Sequence, residues 1–335
     1  MNAPRKLVLA GAAAVLVIGI CAAQNYGGGF GGFGGRGRGF GRGRGYRGWG
    51  SPDAPLITTE GGDTVNEDTV RTARETAFHS TETPDWTNAS GFEQDVFTFT
   101  RILYRWNSTD PRTARIPGML RWINDYPDAD LNLSYRLQQL TSLKVDPDAR
   151  VLKLTDPALT DYPFIYMVKP WGLDLTDEEV PILRKYLLNG GVLMTDDFWG
   201  DSQWNNFEAQ MKRVLPERAW TELPLTHPIF HCVFPIVTTD INKLQVPSIH
   251  RWERSRSPDS GQYGGFGARP GDGSSDMHVR AWLDDKGRIM VIATHNTDNG
   301  DGWEREGEDH EYFQIFSEQR AYPLAINIIY YVMTH

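Results

Sequence analysis

Two adjacent aspartates, Asp196-Asp197, follow the apolar run Val192-Leu193-Met194-Thr195, and Trp199 and Asp201 stand just behind them. Neighbouring carboxylates repel, so such a pair needs a cation, a metal or a raised pKa. That is the chemistry of a ligand site. A solvated loop in which one Asp caps the next helix is the plainer alternative. Two other apolar segments end in comparable residues: Arg105 and Trp106 follow 97–104, and Lys169 and Trp171 follow 164–168. Indole rings stack on sugar faces or cations, while carboxylates bind hydroxyls or metals.

The run 295–311 holds His295, Asp298, Asp301, Glu304, Glu306, Glu308, Asp309, His310 and Glu311. Oxygen donors at this density suit Ca²⁺ or Mg²⁺. The helix–loop–helix calcium pattern fails, because counting from Asp298 puts Gly300 and Gly302 where side-chain oxygens are needed. Asp298 and Asp301 belong to a site if this loop folds over the others. Asp196 with Asp298 is then the expected pair for a divalent metal, and no other cofactor is expected. His227 and His231 are four apart, but Pro228 and its β-rich neighbours predict an extended chain. Their rings would lie roughly 13 Å apart and could not share an ion, which leaves His227 a structural or supporting role.

These residues need elements to hold them at one end of a fold. Strands are expected over 97–104, 151–154, 164–168 and 192–195, with helices near 118–124, 132–142, 176–188 and 207–214. Thr176 and Glu179 are spaced as a capping box, Pro181 argues for a start a residue or two later, and Asn189-Gly190-Gly191 supplies the stop. Strands alternating with helices predict an α/β fold, a mostly parallel sheet with helices on both faces. After 220 the texture turns β-rich, with strands over 227–234, 277–283 and 288–294, a turn at 284–287, a long loop over 255–276 and a buried helix over 322–333. This predicts a β-rich C-terminal extension. Open parallel sheets bind ligands beyond the carboxyl ends of their strands, which is where Arg105, Trp106, Lys169, Trp171, Asp196, Asp197 and Trp199 fall.

Composition narrows the setting. The 335 residues carry 34 Lys/Arg and 43 Asp/Glu, and seven of the bases but none of the acids lie in 1–50, leaving −16 on the remainder. A body that acidic is a poor nucleic-acid binder. Arg5 and Lys6, the apolar run 7–20 and the small residues Cys21-Ala22-Ala23 form the three parts of an export signal, 1–23. A run of that length is short for a membrane span, so no integral span is expected after cleavage, and an uncleaved signal would leave an anchor. Residues 24–50 are a low-complexity tail whose 27–50 stretch holds 14 Gly and five Arg, too rich in glycine to fold. Residues 51–90 read as a polar linker with a short helix near 70–78, and 91–335 as the folded domain. Cys232 is the only cysteine outside the signal, so the mature chain has no internal disulfide.

The stretch Phe97-Thr98-Phe99-Thr100-Arg101-Ile102-Leu103-Tyr104, the blocks Trp122 to Tyr126-Pro127 and Leu140-Thr141, and Tyr162-Pro163-Phe164-Ile165-Tyr166 resemble a bacterial family, domain of unknown function 4159. So do Leu183 to Gly190-Gly191, Asp196-Asp197, His227-Pro228-Ile229-Phe230 and His295 to Glu304. The likeness covers roughly 95–335. It implies a class I glutamine-amidotransferase-like, flavodoxin-like fold, often exported to the periplasm or beyond, with no assigned activity. Enzymes of the wider clan place a nucleophilic Cys on a turn after a strand. Here no Cys lies between Cys21 and Cys232 and no Gly-x-Ser-x-Gly elbow replaces it, which argues against thiolate chemistry. The expectation is an exported ligand-binding or assembly module of the cell envelope that holds a saccharide, peptide or envelope protein. The alternatives are a hydrolase using Asp196 and Asp197, with His295 or a metal, and an attachment protein acting through its Arg-Gly tail.

Overall fold

The five-residue runs Phe164–Val168 and Val192–Asp196 lack polar alternation, the pattern of strands buried on both faces. In the computed structural model they are neighbouring parallel strands at the centre of a sheet. The structure describes residues 56–91, 95–106, 122–256 and 271–335. The expected signal, the Arg-Gly tail and most of the helix expected near 118–124 lie outside them.

A small ribbon pairs β1 (Leu56–Thr58) with β2 (Thr64–Asn66). The main sheet has seven strands: β3 (Thr100–Ile102), β4 (Arg150–Leu152), β5 (Phe164–Val168), β6 (Val192–Asp196), β7 (Trp220–Glu222), β8 (His278–Leu283) and β9 (Ile289–His295). Their order is β4-β3-β5-β6-β9-β8-β7. The first five run parallel, and β8 and β7 add an antiparallel edge. The α/β class and mostly parallel sheet agree with the sequence. The β-rich segment is no separate extension, since β9 pairs directly with β6 from Leu193↔Val291 to Thr195↔Ala293.

The helices are α1 (Asp128–Leu140), α2 (Glu179–Leu188), α3 (Gly200–Val214), α4 (Ile249–Ser255), α5 (Asn299–Glu304) and α6 (His310–Tyr312). The last runs through a π-helical stretch (Phe313–Ala321) into α7 (Tyr322–Thr334). One group, α1, α5 and α7, packs together, as does the pair α2 and α3. Strand order reverses between β3 and β5, and the segments that follow them stay together: Trp106 bridges Leu173, and the Asp174 amide donates to the Arg105 carbonyl at 3.2 Å. No helix among the described residues is long and apolar enough to cross a membrane.

Local chemistry explains agreements and departures. Glu179 N–H donates to Thr176 Oγ1 (3.1 Å) and Thr176 N–H to Glu179 Oε2 (2.8 Å), the expected capping box. α2 begins at Glu179, two residues after the first position a Thr176 cap allows, as Pro181 argued, because that residue has no N–H for the Asp177 carbonyl. Gly190 closes the helix at φ +112°, a conformation glycine tolerates. The strand expected over 227–234 is instead a 3₁₀ turn (Pro228–Phe230) and loop, because the Asn327 side chain takes the Val233 and Phe234 amides that a strand would pair. The polar linker expected over 51–90 is packed structure where described: Ile57, Val65, Val70 and Ala73 are buried in the main core. Only a 3₁₀ turn (Ala73–Glu75) stands where a helix was expected.

Candidate functional site: a buried acidic centre at the strand ends

Each segment that reaches the carboxyl end of the central strands turns there on a left-handed residue that is not glycine. These are Asp125 (φ +60°) in the connection after β3, Lys169 (+48°) after β5, Asp197 (+54°) after β6 and Asn296 (+61°) after β9. Such conformations persist only where the surroundings hold them, and they cluster at functional sites. All four side chains are buried.

Lys169 Nζ lies 2.6 Å from Asp197 Oδ2, and the Trp199 indole donates to Asp197 Oδ1 at 3.0 Å. Burial pushes the Asp197 carboxyl up, against the pull of Lys169. Asp196 is used differently. Its Oδ2 accepts the amides of Asn299 (2.8 Å) and Gly300 (3.1 Å) at the start of α5, and its Oδ1 meets the Tyr166 hydroxyl. Burial pushes its carboxyl up to about 7. The pair expected to act together is thus divided: Asp196 anchors α5, and Asp197 holds Lys169.

Asp298 caps α5, with Oδ1 accepting the Asp301 amide (3.1 Å), and Asp301 Oδ2 accepts the Ile249 amide (2.7 Å). Beside them comes Asp125, which the sequence reading had not singled out. Carboxylate oxygens of Asp125, Asp298 and Asp301 lie within 4.8 Å of one another, and so do those of Glu60, Asp125 and Glu304. Asp196 is in neither group, so the expected Asp196–Asp298 metal pair does not form. Burial first, then neighbouring carboxylates, push Asp125 and Asp298 well up. Arg305 ties the rim together through Glu60 (2.6 Å), Glu304 (2.8 Å) and Glu308 (3.0 Å). His79 stands between two buried acids, Nδ1 at 2.6 Å from Asp128 and Nε2 at 2.5 Å from Glu304. The Asp128 bond raises its pKa.

Gly300 is required here, because a Cβ would lie 2.0 Å from Asp125 Oδ2. Gly300→Ala is expected to destabilise the protein by about 1–3 kcal/mol, the cost of overpacking a tight interior. Chemical denaturation of both proteins measures it, and an unchanged midpoint would mean that Asp125 yields freely.

The remaining expected residues separate into two groups. Arg105 is exposed and paired with Asp174 (2.7 Å), and Trp106 and Trp171 meet edge to face at 5.3 Å, both half-buried where the segments after β3 and β5 meet. His295 and His227 do not join the centre. His295 is a packed ring between Phe198 (4.9 Å) and Trp204 (5.3 Å), with Nε2 3.2 Å from the Gly200 carbonyl and Nδ1 3.4 Å from Arg280. Burial, then Arg280, pushes its pKa down to about 3, so it stays neutral. His227 caps its own turn through the Ile229 amide (3.2 Å) and packs on Tyr331. Tyr331 lines a cavity with Gly190 and Ile289, at the opposite ends of β6 and β9. Cys232 Sγ lies 3.2 Å from the Asn327 carbonyl, and burial pushes its thiol up.

The fold and site define an α/β protein whose mostly parallel sheet carries a buried acidic centre at its strand ends. Residues 112–333 match the family model described as domain of unknown function (DUF4159), and the chain belongs to that family. No curated protein matches it.

Proposed function

We propose that this chain is an exported, amidotransferase-like binding module of the bacterial cell envelope that takes a saccharide or peptide ligand on the half-buried indoles where the segments after β3 and β5 meet, and uses no thiol nucleophile. The observation that carries the reading is the Trp106–Trp171 pair beside Arg105 at the point where strand order reverses. Doubly wound sheets bind ligands at this point, and half-buried indoles beside a cation suit a polar ligand with flat apolar faces. Counted along the chain, the parallel strands run second, first, third, fourth, fifth, the flavodoxin-like order. The hydrolase alternative has less support, since Asp196 and His295 are both committed to internal contacts.

Titration calorimetry of the mature chain with soluble cell-wall oligosaccharides and muropeptides tests the reading. Trp171→Ala is expected to weaken binding by up to about tenfold, the worth of one aromatic contact, and Cys232→Ser to leave it unchanged. Equal binding by the Trp171 and Trp106 alanine variants, or ammonia release from glutamine that depends on Cys232, would count against it.

A further inference from the structure

Asp125, Asp298 and Asp301 bring carboxylate oxygens from two distant segments to within 4.8 Å of one another. All three are buried, at 0%, 2% and 5% exposure. The cations nearest to them are committed elsewhere. Lys169 is held by Asp197 at 2.6 Å, and Arg305 serves Glu60, Glu304 and Glu308 while approaching Asp301 only at 3.8 Å.

One oxygen singles this place out. Asp125 Oδ1 takes the side-chain amide of Asn124, but the buried Asp125 Oδ2 accepts no hydrogen bond among the described residues. It points at α5 where Gly300 leaves room, between the Asp298 cap and Asp301. A buried acceptor without a partner bears its full desolvation penalty, and buried anions persist when paired or bound to metal.

We infer that Asp125, Asp298 and Asp301 form a binding site for a hard divalent cation, calcium in preference to magnesium. An all-oxygen donor set selects hard ions over zinc or copper. Mg²⁺ dehydrates reluctantly and seldom sits in a dedicated protein cage, whereas Ca²⁺ takes carboxylate oxygens in flexible geometry, so a buried carboxylate trio favours calcium. The cation supplies the charge that Lys169 and Arg305 do not, and it ties the Asp125 segment to the start of α5. The inference does not rest on the ligand-binding reading, because it is read by metal content and not by ligand affinity.

Equilibrium dialysis of the full chain against calcium, followed by metal analysis, tests the site. The melting temperature in calcium and in chelator is a second readout. The expected result is one calcium per chain at about 1 mM free ion, the upper end for extracellular modules. Melting should rise by roughly 5–10 °C at about a hundredfold excess over Kd. Asp125→Asn keeps the shape and removes the charge. It should lose both the bound calcium and the thermal gain, while melting no lower than the parent in chelator because a like-charge repulsion is relieved. If that variant does not fold, Asp298→Asn takes its place, and the parent chain's own uptake still decides. A parent chain that takes up no calcium, or variants that bind it as the parent does, would overturn the site.

Discussion

Replacing Arg101 by alanine is expected to lower stability by about 3–5 kcal/mol, the cost of breaking a buried ion pair from one side. Arg101 lies in β3 at 0% exposure. Its Nε is 2.9–3.0 Å from both oxygens of Asp130, and one terminal nitrogen donates to the carbonyls of Trp122 (2.8 Å) and Asn124 (2.9 Å). Its guanidinium also faces the rings of Tyr166 (5.1 Å) and Tyr126 (5.8 Å). Removing it leaves Asp130 charged in the interior and frees two carbonyls, so the segment that presents Asp125 loses its anchor. Urea denaturation of parent and variant gives the value. The double variant Arg101→Met with Asp130→Leu should recover part of the loss, because apolar packing replaces the buried pair at little cost while the Trp122 and Asn124 carbonyls stay unpaired. A single variant within about 1 kcal/mol of the parent would put this pair in the class of exposed ones.

Arg101 also marks how far the sequence could be read. The continuous apolar runs at 164–168 and 192–196 state their burial directly, and the Thr176/Glu179 spacing and Gly190 state a helix start and stop. Those signals are local, and they located β5, β6 and α2. The edges of the sheet were harder. The expected strand 97–104 forms a regular ladder only over Thr100–Ile102, with a single bridge from Phe97 to Val145, although backbone bonds towards β4 continue at Phe99 and Leu103. His227–Phe234 looks like a strand by composition, yet a side chain 93 residues away takes its amides. No local pattern records such a partner.

The site was legible by position more than by role. Lys169 and Asp197 were expected at the strand ends, and Asp298 beside them if its loop folded over; all three are there. Asp125, Glu304, His79 and Arg305 entered through tertiary contact. A signal for Asp125 was present: Arg101 is a charge inside an apolar strand, and 124–130 carries three aspartates just ahead of and within a helix start. A charged residue in a buried strand demands a counter-charge, and Asp125, Asp128 and Asp130 were the nearest dense supply. Reading that demand would have led to the loop that completes the centre.

Asp196 carries the second large effect, and its substitutions separate two roles of one carboxyl. Asp196→Ala removes the acceptor for two α5 amides and the partner of the Tyr166 hydroxyl, all buried. Unsatisfied buried donors cost about 1–3 kcal/mol each, so a loss of about 3 kcal/mol or more is expected. Asp196→Asn is expected to behave otherwise. Its carbonyl oxygen can accept both amides while its NH₂ donates to the Tyr166 oxygen, the arrangement of the protonated acid. The pH dependence follows from the carboxyl being pushed up to about 7 by burial, Tyr166 and Asp197 being the side chains that face it. The native state binds this proton more tightly than the unfolded chain, whose carboxyl titrates near 3.9. Stability from this group is therefore full below about pH 4, falls as pH rises towards 7, and levels off above. At about 1.4 kcal/mol per pH unit the fall totals up to about 4 kcal/mol. His79, raised by Asp128, adds a loss in the same direction at higher pH, so the parent curve alone does not isolate Asp196. The difference between parent and Asp196→Asn does: in chelator, the asparagine variant should lack the slope between about pH 4 and pH 7 and keep the rest. Denaturant midpoints across that range measure it, and parallel curves for the two proteins would mean that Asp196 is ionised in the folded state throughout.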